Sequence, residues 1–167
     1  LGCAVRYFDD SNDVPSILAP RLDRPGDLGK LGAPDPEEDG RMPLFLQAAE
    51  RLGRELGGSM IIRGALTGPF SLACALAGTE NVLAATVEDP DFVRRLLEFA
   101  GRVTIEYGRA FLARSVEVIL FDSKASPGAA SPKVFHELVV PIYRDIVMPA
   151  LVQSGARFLP LIIGGDT

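Results

Sequence analysis

Three short apolar runs, 59–66 (SMIIRGAL), 116–121 (VEVILF) and 157–163 (RFLPLII), alternate with longer stretches whose apolar residues recur at helical spacing. Runs this short have the length of buried strands, and the stretches between them are long enough for helices. The clearest helix follows Asp89-Pro90, an acidic cap and a proline at the first helical position, where a missing N–H costs nothing. Val93, Leu96, Leu97, Ala100, Val103, Tyr107, Ala110 and Phe111 then form one stripe, which predicts an amphipathic helix over 90–114. Ser131-Pro132 opens another, continued by Phe135, Leu138, Val139, Ile142, Ile146 and Val147 to a stop at Gly155. Kinks or breaks are expected in it at Pro141 and Pro149. Leu44, Phe45, Ala48, Ala49, Leu52 and Leu56 place a further helix on 41–56, ended by Gly57-Gly58. Strand, helix, strand, helix, strand in this order predicts an α/β fold of parallel βαβ units. The pattern alone leaves open whether the sheet is doubly wound or closed into a barrel.

The remaining segments are less regular. Residues 3–8 read as a strand, and 9–36, crowded with Asp, Pro and Gly, as a long irregular excursion. An excursion of that length is either a functional cover over a site or a solvated surface loop. Residues 71–77 look like one or two helical turns, and Thr79-Glu80-Asn81-Val82 opens a short helix.

Seventeen basic against twenty-two acidic residues give a net charge of −5, which provides no electrostatic footprint for a nucleic-acid backbone. Every apolar run falls short of the roughly 20 residues needed to span a bilayer, so the chain reads as soluble. Cys3 and Cys74 stand far apart with no CxxC and no Cys/His cluster, which argues against a disulfide framework or a local zinc motif and fits a reducing cytoplasm. Leu1-Gly2-Cys3-Ala4-Val5 at one end, and Gly164-Gly165-Asp166-Thr167 directly after an apolar run at the other, read as the interior of a longer chain.

In parallel α/β folds ligands lie at the carboxyl ends of the strands. Four places qualify: the loop after Phe8, the Thr67-Gly68-Pro69-Phe70 turn, Asp122-Ser123, and 164–167. Asp122, directly after VEVILF, is the candidate catalytic residue, placed to accept substrate N–H groups or ligate a metal; it equally suits a loop-anchoring carboxylate. Ser123 could donate to a substrate carboxylate or satisfy the loop backbone. Phe70 could wall a pocket for a flat ligand or pack in the core. Asp166 follows two glycines that allow close approach of a ligand and equally suit a tight turn. His136, the one histidine, sits within a helical pattern and reads as a solvated or packing residue. The chain has no GxGxxG, GxxxxGK[ST] or HExxH.

The order Gly68-Pro69-Phe70-Ser71-Leu72-Ala73, Ala77-Gly78-Thr79-Glu80-Asn81, Asp89-Pro90, Phe121-Asp122-Ser123 with Ala125-Ser126-Pro127, Ser131-Pro132-Lys133-Val134-Phe135 and Pro141-Ile142-Tyr143 resembles the uroporphyrinogen decarboxylase superfamily over the whole chain. The resemblance implies a TIM-type (β/α)8 barrel about twice this length, with 1–167 as a single partial barrel domain. In the decarboxylases, which need no cofactor, an Asp upstream of the region matching Leu1 binds the pyrrole N–H groups, and most of the basic residues that pair the substrate carboxylates are upstream too. Ser123 falls at their substrate-contacting serine, while their active-site Tyr falls at Ala75. The other branch moves methyl groups between a corrinoid protein and coenzyme M or another acceptor, and Gly78-Thr79-Glu80-Asn81 with 122–132 resembles it more closely. Its thiol-using members hold zinc with a His-x-Cys-Gly motif whose ligands fall here at Ile162 and Gly164, neither of which can bind the ion.

The resemblance therefore implies a corrinoid-linked methyltransferase without that zinc site, with uroporphyrinogen decarboxylation as the alternative and a non-catalytic tetrapyrrole or corrinoid binder as a third reading. No cofactor is expected to be bound by this segment itself; a corrinoid would be the methyl carrier. The expected partners are a small tetrapyrrole or methyl acceptor and a corrinoid protein, with a homodimer as one assembly. Residues 1–167 are expected to hold no zinc through His or Cys, and any metal through carboxylates such as Asp122 or Asp166.

Overall fold

The computed structural model describes residues 1–8 and 15–164. Its elements in chain order are β1 (Val5–Arg6), β2 (Ser16–Ile17), a 3-10 turn (Pro25–Lys30), α1 (Met42–Leu56), β3 (Arg63–Thr67), α2 (Pro69–Ala77), α3 (Thr79–Glu88), α4 (Pro90–Leu112), β4 (Glu117–Phe121), a second 3-10 turn (Ser123–Ala125), a long helix α5 over 132–153, and β5 (Leu161–Ile162). Strands β3, β4 and β5 form one parallel sheet in that order, with Thr67 beside Phe121 and Phe121 beside Ile162. These are the parallel β/α units that the alternating runs predict.

Helix α4 covers one face of the sheet because its stripe does what an amphipathic stripe must: Val93, Leu96, Leu97, Ala100, Val103 and Phe111 are all buried. Its start follows the local chemistry, with the Asp89 carboxylate accepting the Phe92 N–H at 2.9 Å and Pro90 at the first position. Beneath α4, Gly64, Leu66, Val118 and Leu120 point into the core, while Ala65, Thr67, Phe121 and Ile162 alternate to the opposite, open face.

Several boundaries differ from those read in the sequence. The run 59–66 becomes strand only from Arg63, and 157–163 contributes only Leu161–Ile162. In both cases, the parallel pairing with β4 sets the limits, and hydrophobicity alone does not. Residues 9–14 of the excursion lie outside the described residues; the remainder, 15–36, is less irregular than expected, since β2 pairs antiparallel with β1 and the N–H groups of Arg21 and Leu22 both donate to the Leu76 carbonyl. Just after the excursion, Glu37 accepts both arms of the guanidinium of Arg114, which follows α4. On α1 only Leu46 and Ala49 are buried, and Leu44, Phe45, Leu52 and Leu56 of the expected stripe stay exposed.

Pro141 and Pro149 neither break nor end α5. Each follows a π-helical stretch, Phe135–Val139 and Ile142–Val147, in which the Val140 N–H reaches back to the Phe135 carbonyl and the Met148 N–H to the Tyr143 carbonyl. A proline ring collides with the carbonyl four residues earlier, and the wider π turn moves that carbonyl aside. Among the described residues, no single helix is long and apolar enough to cross a bilayer; α2 and α3, apolar together, meet at a 104° bend.

Sheet and α4 approach closely at Gly64, where a Cβ would stand 2.5 Å from the Phe111 ring. Gly64→Ala in the full-length protein is expected to cost about 1–3 kcal/mol through overpacking, measured as a lower midpoint in urea unfolding. An unchanged midpoint would contradict this packing.

Candidate functional site

The strand ends converge on one carboxylate. Strand β3 stops at Thr67, whose carbonyl accepts the buried Thr104 hydroxyl from α4, and the Gly68 N–H then donates to the Phe121 carbonyl at 2.7 Å. Helix α2 begins at Pro69 with Gly68 in the cap position, so it has no cap side chain of its own. Its free N–H groups are met from elsewhere: those of Phe70 and Ser71 donate to Asp122 Oδ2 and Oδ1 at 3.2 and 2.6 Å. The Tyr143 hydroxyl donates to Asp122 Oδ2 at 2.7 Å, and the Asp122 N–H itself donates to the Ile162 carbonyl. A carboxylate at a helix N-terminus is favoured by the unpaired N–H groups and by the helix dipole.

This crowding explains Gly68. A Cβ there would fall 2.3 Å from the Tyr143 oxygen and 2.5 Å from the Asp122 side chain, so only glycine lets both reach the start of α2. The Tyr143 phenol is pushed well above its ordinary range by burial, by the Asp122 charge and by the hydrogen bond, and it remains a donor. Burial, helped by the Asp122 charge, pushes the Cys74 thiol up to about 11.

Asp122 has no exposed surface and all its described contacts are protein donors, so it anchors α2 and α5 to the strand ends. Neither oxygen reaches solvent, which is the arrangement of the loop-anchoring carboxylate that the sequence equally allowed. The Phe70 ring is likewise fully buried, as in the core-packing alternative, and its N–H is the group that meets Asp122. Ser123 is exposed at the rim with no partner for its hydroxyl among the described residues, and beside it the Lys124 N–H donates to Ser71 Oγ at 3.0 Å. Gly164 lies against Ser123, with room for a Cβ at 3.6 Å. Asp166 lies outside the described residues.

His136 is exposed on the π segment of α5, and Cys3 precedes β1 instead of lying within a strand. No group of three His, Cys, Asp or Glu side chains among the described residues is placed to hold a metal ion. Sequence reasoning missed Tyr143, Ser71 and the close approach at Gly68. A signal for Tyr143 existed, since a phenol beside Ile142 on the buried side of a helix must find a partner for its hydroxyl.

A parallel sheet backed by helices, with its polar groups gathered at the strand carboxyl ends, is the arrangement of a (β/α)8 barrel enzyme. A solved methyltransferase from Methanosarcina mazei has this fold, matching 99% of the chain and 47% of its own with a TM-score of 0.85 at 23% identity. The chain belongs to the uroporphyrinogen decarboxylase (URO-D) family, whose description matches residues 1–155. Its similar relatives include a methylated-thiol–coenzyme M methyltransferase of M. mazei, 32% identical over 97% of this chain and 45% of that protein. They also include a uroporphyrinogen decarboxylase of Trichlorobacter lovleyi, 33% identical over 84% of this chain and 45% of that one. A methylcobamide:CoM methyltransferase, MtaA, of Methanosarcina barkeri is 25% identical over 83% of this chain and 41% of its own. The chain thus spans less than half the length of these curated relatives.

Asp122→Ala would leave two amide N–H groups and a phenol buried without an acceptor. It is expected to cost about 3 kcal/mol or more, with Asp122→Asn, which keeps one acceptor oxygen, costing less in the same unfolding measurement. Cys74 should resist alkylation in the native full-length protein at pH 8 and react after denaturation, as read by peptide mass spectrometry; rapid native labelling would contradict its burial.

Proposed function

We propose that the protein containing this chain is a corrinoid-linked methyltransferase that works without the His-x-Cys zinc site. The observation that carries this reading is the 32% identity to a methylated-thiol–coenzyme M methyltransferase across 97% of the chain. Ala75, where the resemblance puts the active-site Tyr of the decarboxylases, points the same way. The residues at the zinc position do not fit the ion: Ile162 offers a hydrocarbon side chain, uses its carbonyl to accept the Asp122 N–H, and Gly164 has no side chain.

The rim suits a flat macrocycle. Phe121 and Ile162 stand side by side at the strand ends, next to the exposed Ser123 and Lys124, which sets an apolar pair beside a polar edge. When bound, the corrinoid supplies the methyl group. Ser123 donates to a substrate carboxylate or comparable acceptor, while Asp122 holds the strand ends in place without touching substrate. Residues 1–167 form one part of a single barrel domain, the partners are a corrinoid protein and a small methyl acceptor, and the location is cytoplasmic.

A second reading, uroporphyrinogen decarboxylation, is favoured by the 33% identity to the T. lovleyi enzyme and by Ser123. The test is a methyl-transfer assay on the full-length protein with methylcobalamin and thiol or folate acceptors, run beside a decarboxylation assay with uroporphyrinogen. Transfer to an acceptor is expected. Decarboxylation without transfer would replace the first reading with the second, and neither activity would sink both.

A further inference from the structure

Ser123 has both of its chain neighbours pinned. On one side the Asp122 carboxylate is fixed by the Phe70 N–H, the Ser71 N–H and the Tyr143 hydroxyl. On the other, the Lys124 N–H is fixed by Ser71 Oγ, and the Ser71 backbone is itself held by Asp122. The contacts therefore close a ring, from Asp122 through Ser71 to Lys124 and back along the chain through Ser123. Tyr143, on the π segment of α5 that follows Pro141, holds this ring from outside through its hydroxyl on Asp122. It is 5% exposed and reaches Asp122 only because Gly68 leaves the space.

We infer that Tyr143 is a positioning residue for Ser123, acting through Asp122, α2 and Ser71 on the turn that carries the exposed hydroxyl. Oδ2 serves both the phenol and the Phe70 N–H, so the hydroxyl of Tyr143 fixes the rotation of the carboxylate that α2 depends on. Loss of that hydrogen bond frees the carboxylate to turn, which loosens Ser71 and then the Lys124 amide. The ring itself stands on geometry, whereas its catalytic consequence rests on the methyltransferase reading above. Misplacement of a substrate-contacting group by a fraction of an ångström lowers turnover more than it weakens binding.

Two measurements on the full-length protein test this. Tyr143→Phe removes one hydroxyl and keeps the ring in the core; it is expected to raise native-state hydrogen exchange at the Lys124 amide, as Ser71→Ala does by cutting the last link. In methyl transfer from methylcobalamin, Y143F is expected to lower kcat about ten-fold with little change in KM. On the residual rate of Ser123→Ala it should have no further effect, since a residue that acts through Ser123 has nothing left to position. Unchanged Lys124 exchange in Y143F, or losses in Y143F and S123A that simply multiply, would overturn the inference. A wild-type protein with no methyl transfer would refute the functional reading alone, and the exchange measurement would then decide the positioning role.

Discussion

A carboxylate with no surface in contact with water persists only where protein donors replace its hydration, and at Asp122 two helix N–H groups and a phenol do so. Much of the rest follows from housing that group. Helix α2 starts at a glycine that cannot cap it, because a side chain at Gly68 would occupy the space taken by Asp122 and Tyr143. The carboxylate supplies the missing cap across more than fifty residues of sequence. The same residue's N–H joins β4 to β5 through the Ile162 carbonyl, so one side chain and its backbone tie two strand ends and two helices together, while the Gly68 N–H on the Phe121 carbonyl joins the end of β3 to β4.

The helical layer shows how the chain tolerates residues that would ordinarily disturb it. Pro141 and Pro149 lie inside α5, and the π stretches before them absorb the clash that each ring would cause. The helix therefore continues, carrying Leu138, Val139, Ile142, Tyr143, Val147 and Leu151 into the core. The phenol of Tyr143 arrives at the strand ends as part of this packing, with its apolar ring in the core and its hydroxyl on the carboxylate.

Family membership and site chemistry answer different questions. The match over residues 1–155 places the chain in the URO-D family, and the solved methyltransferase shares its fold; its relatives are named as uroporphyrinogen decarboxylases and as coenzyme M methyltransferases. Fold alone does not choose between those reactions, because function lies in particular side chains grafted onto it. The positions that the resemblance singles out are Ala75, Ile162 and Gly164, which carry no phenol, imidazole or thiol, and Ser123, which has an exposed hydroxyl at the rim. The open face of the sheet, with Ala65, Thr67, Phe121 and Ile162, is the face that a barrel turns inward.

What could be read from the sequence was whatever a residue's near neighbours decide. The Asp89-Pro90 and Ser131-Pro132 starts, the stripe of α4 and the alternation of strands with helices came through, because caps and periodicity act within a few positions along the chain. Asp122 was recognisable as a residue at a strand end, but whether it faced substrate or held the loop was not. Its partners lie 21, 51 and 52 positions away and meet it only through the sheet register and the seating of α5. The same limit applied to Phe70, whose ring could have faced a ligand or the core, and to the strand boundaries at Arg63 and Leu161, which depend on pairing with β4. Burial and hydrogen-bond closure between distant segments belong to the folded chain as a whole, so the tertiary structure alone decided which of the rim residues is buried and which remains exposed.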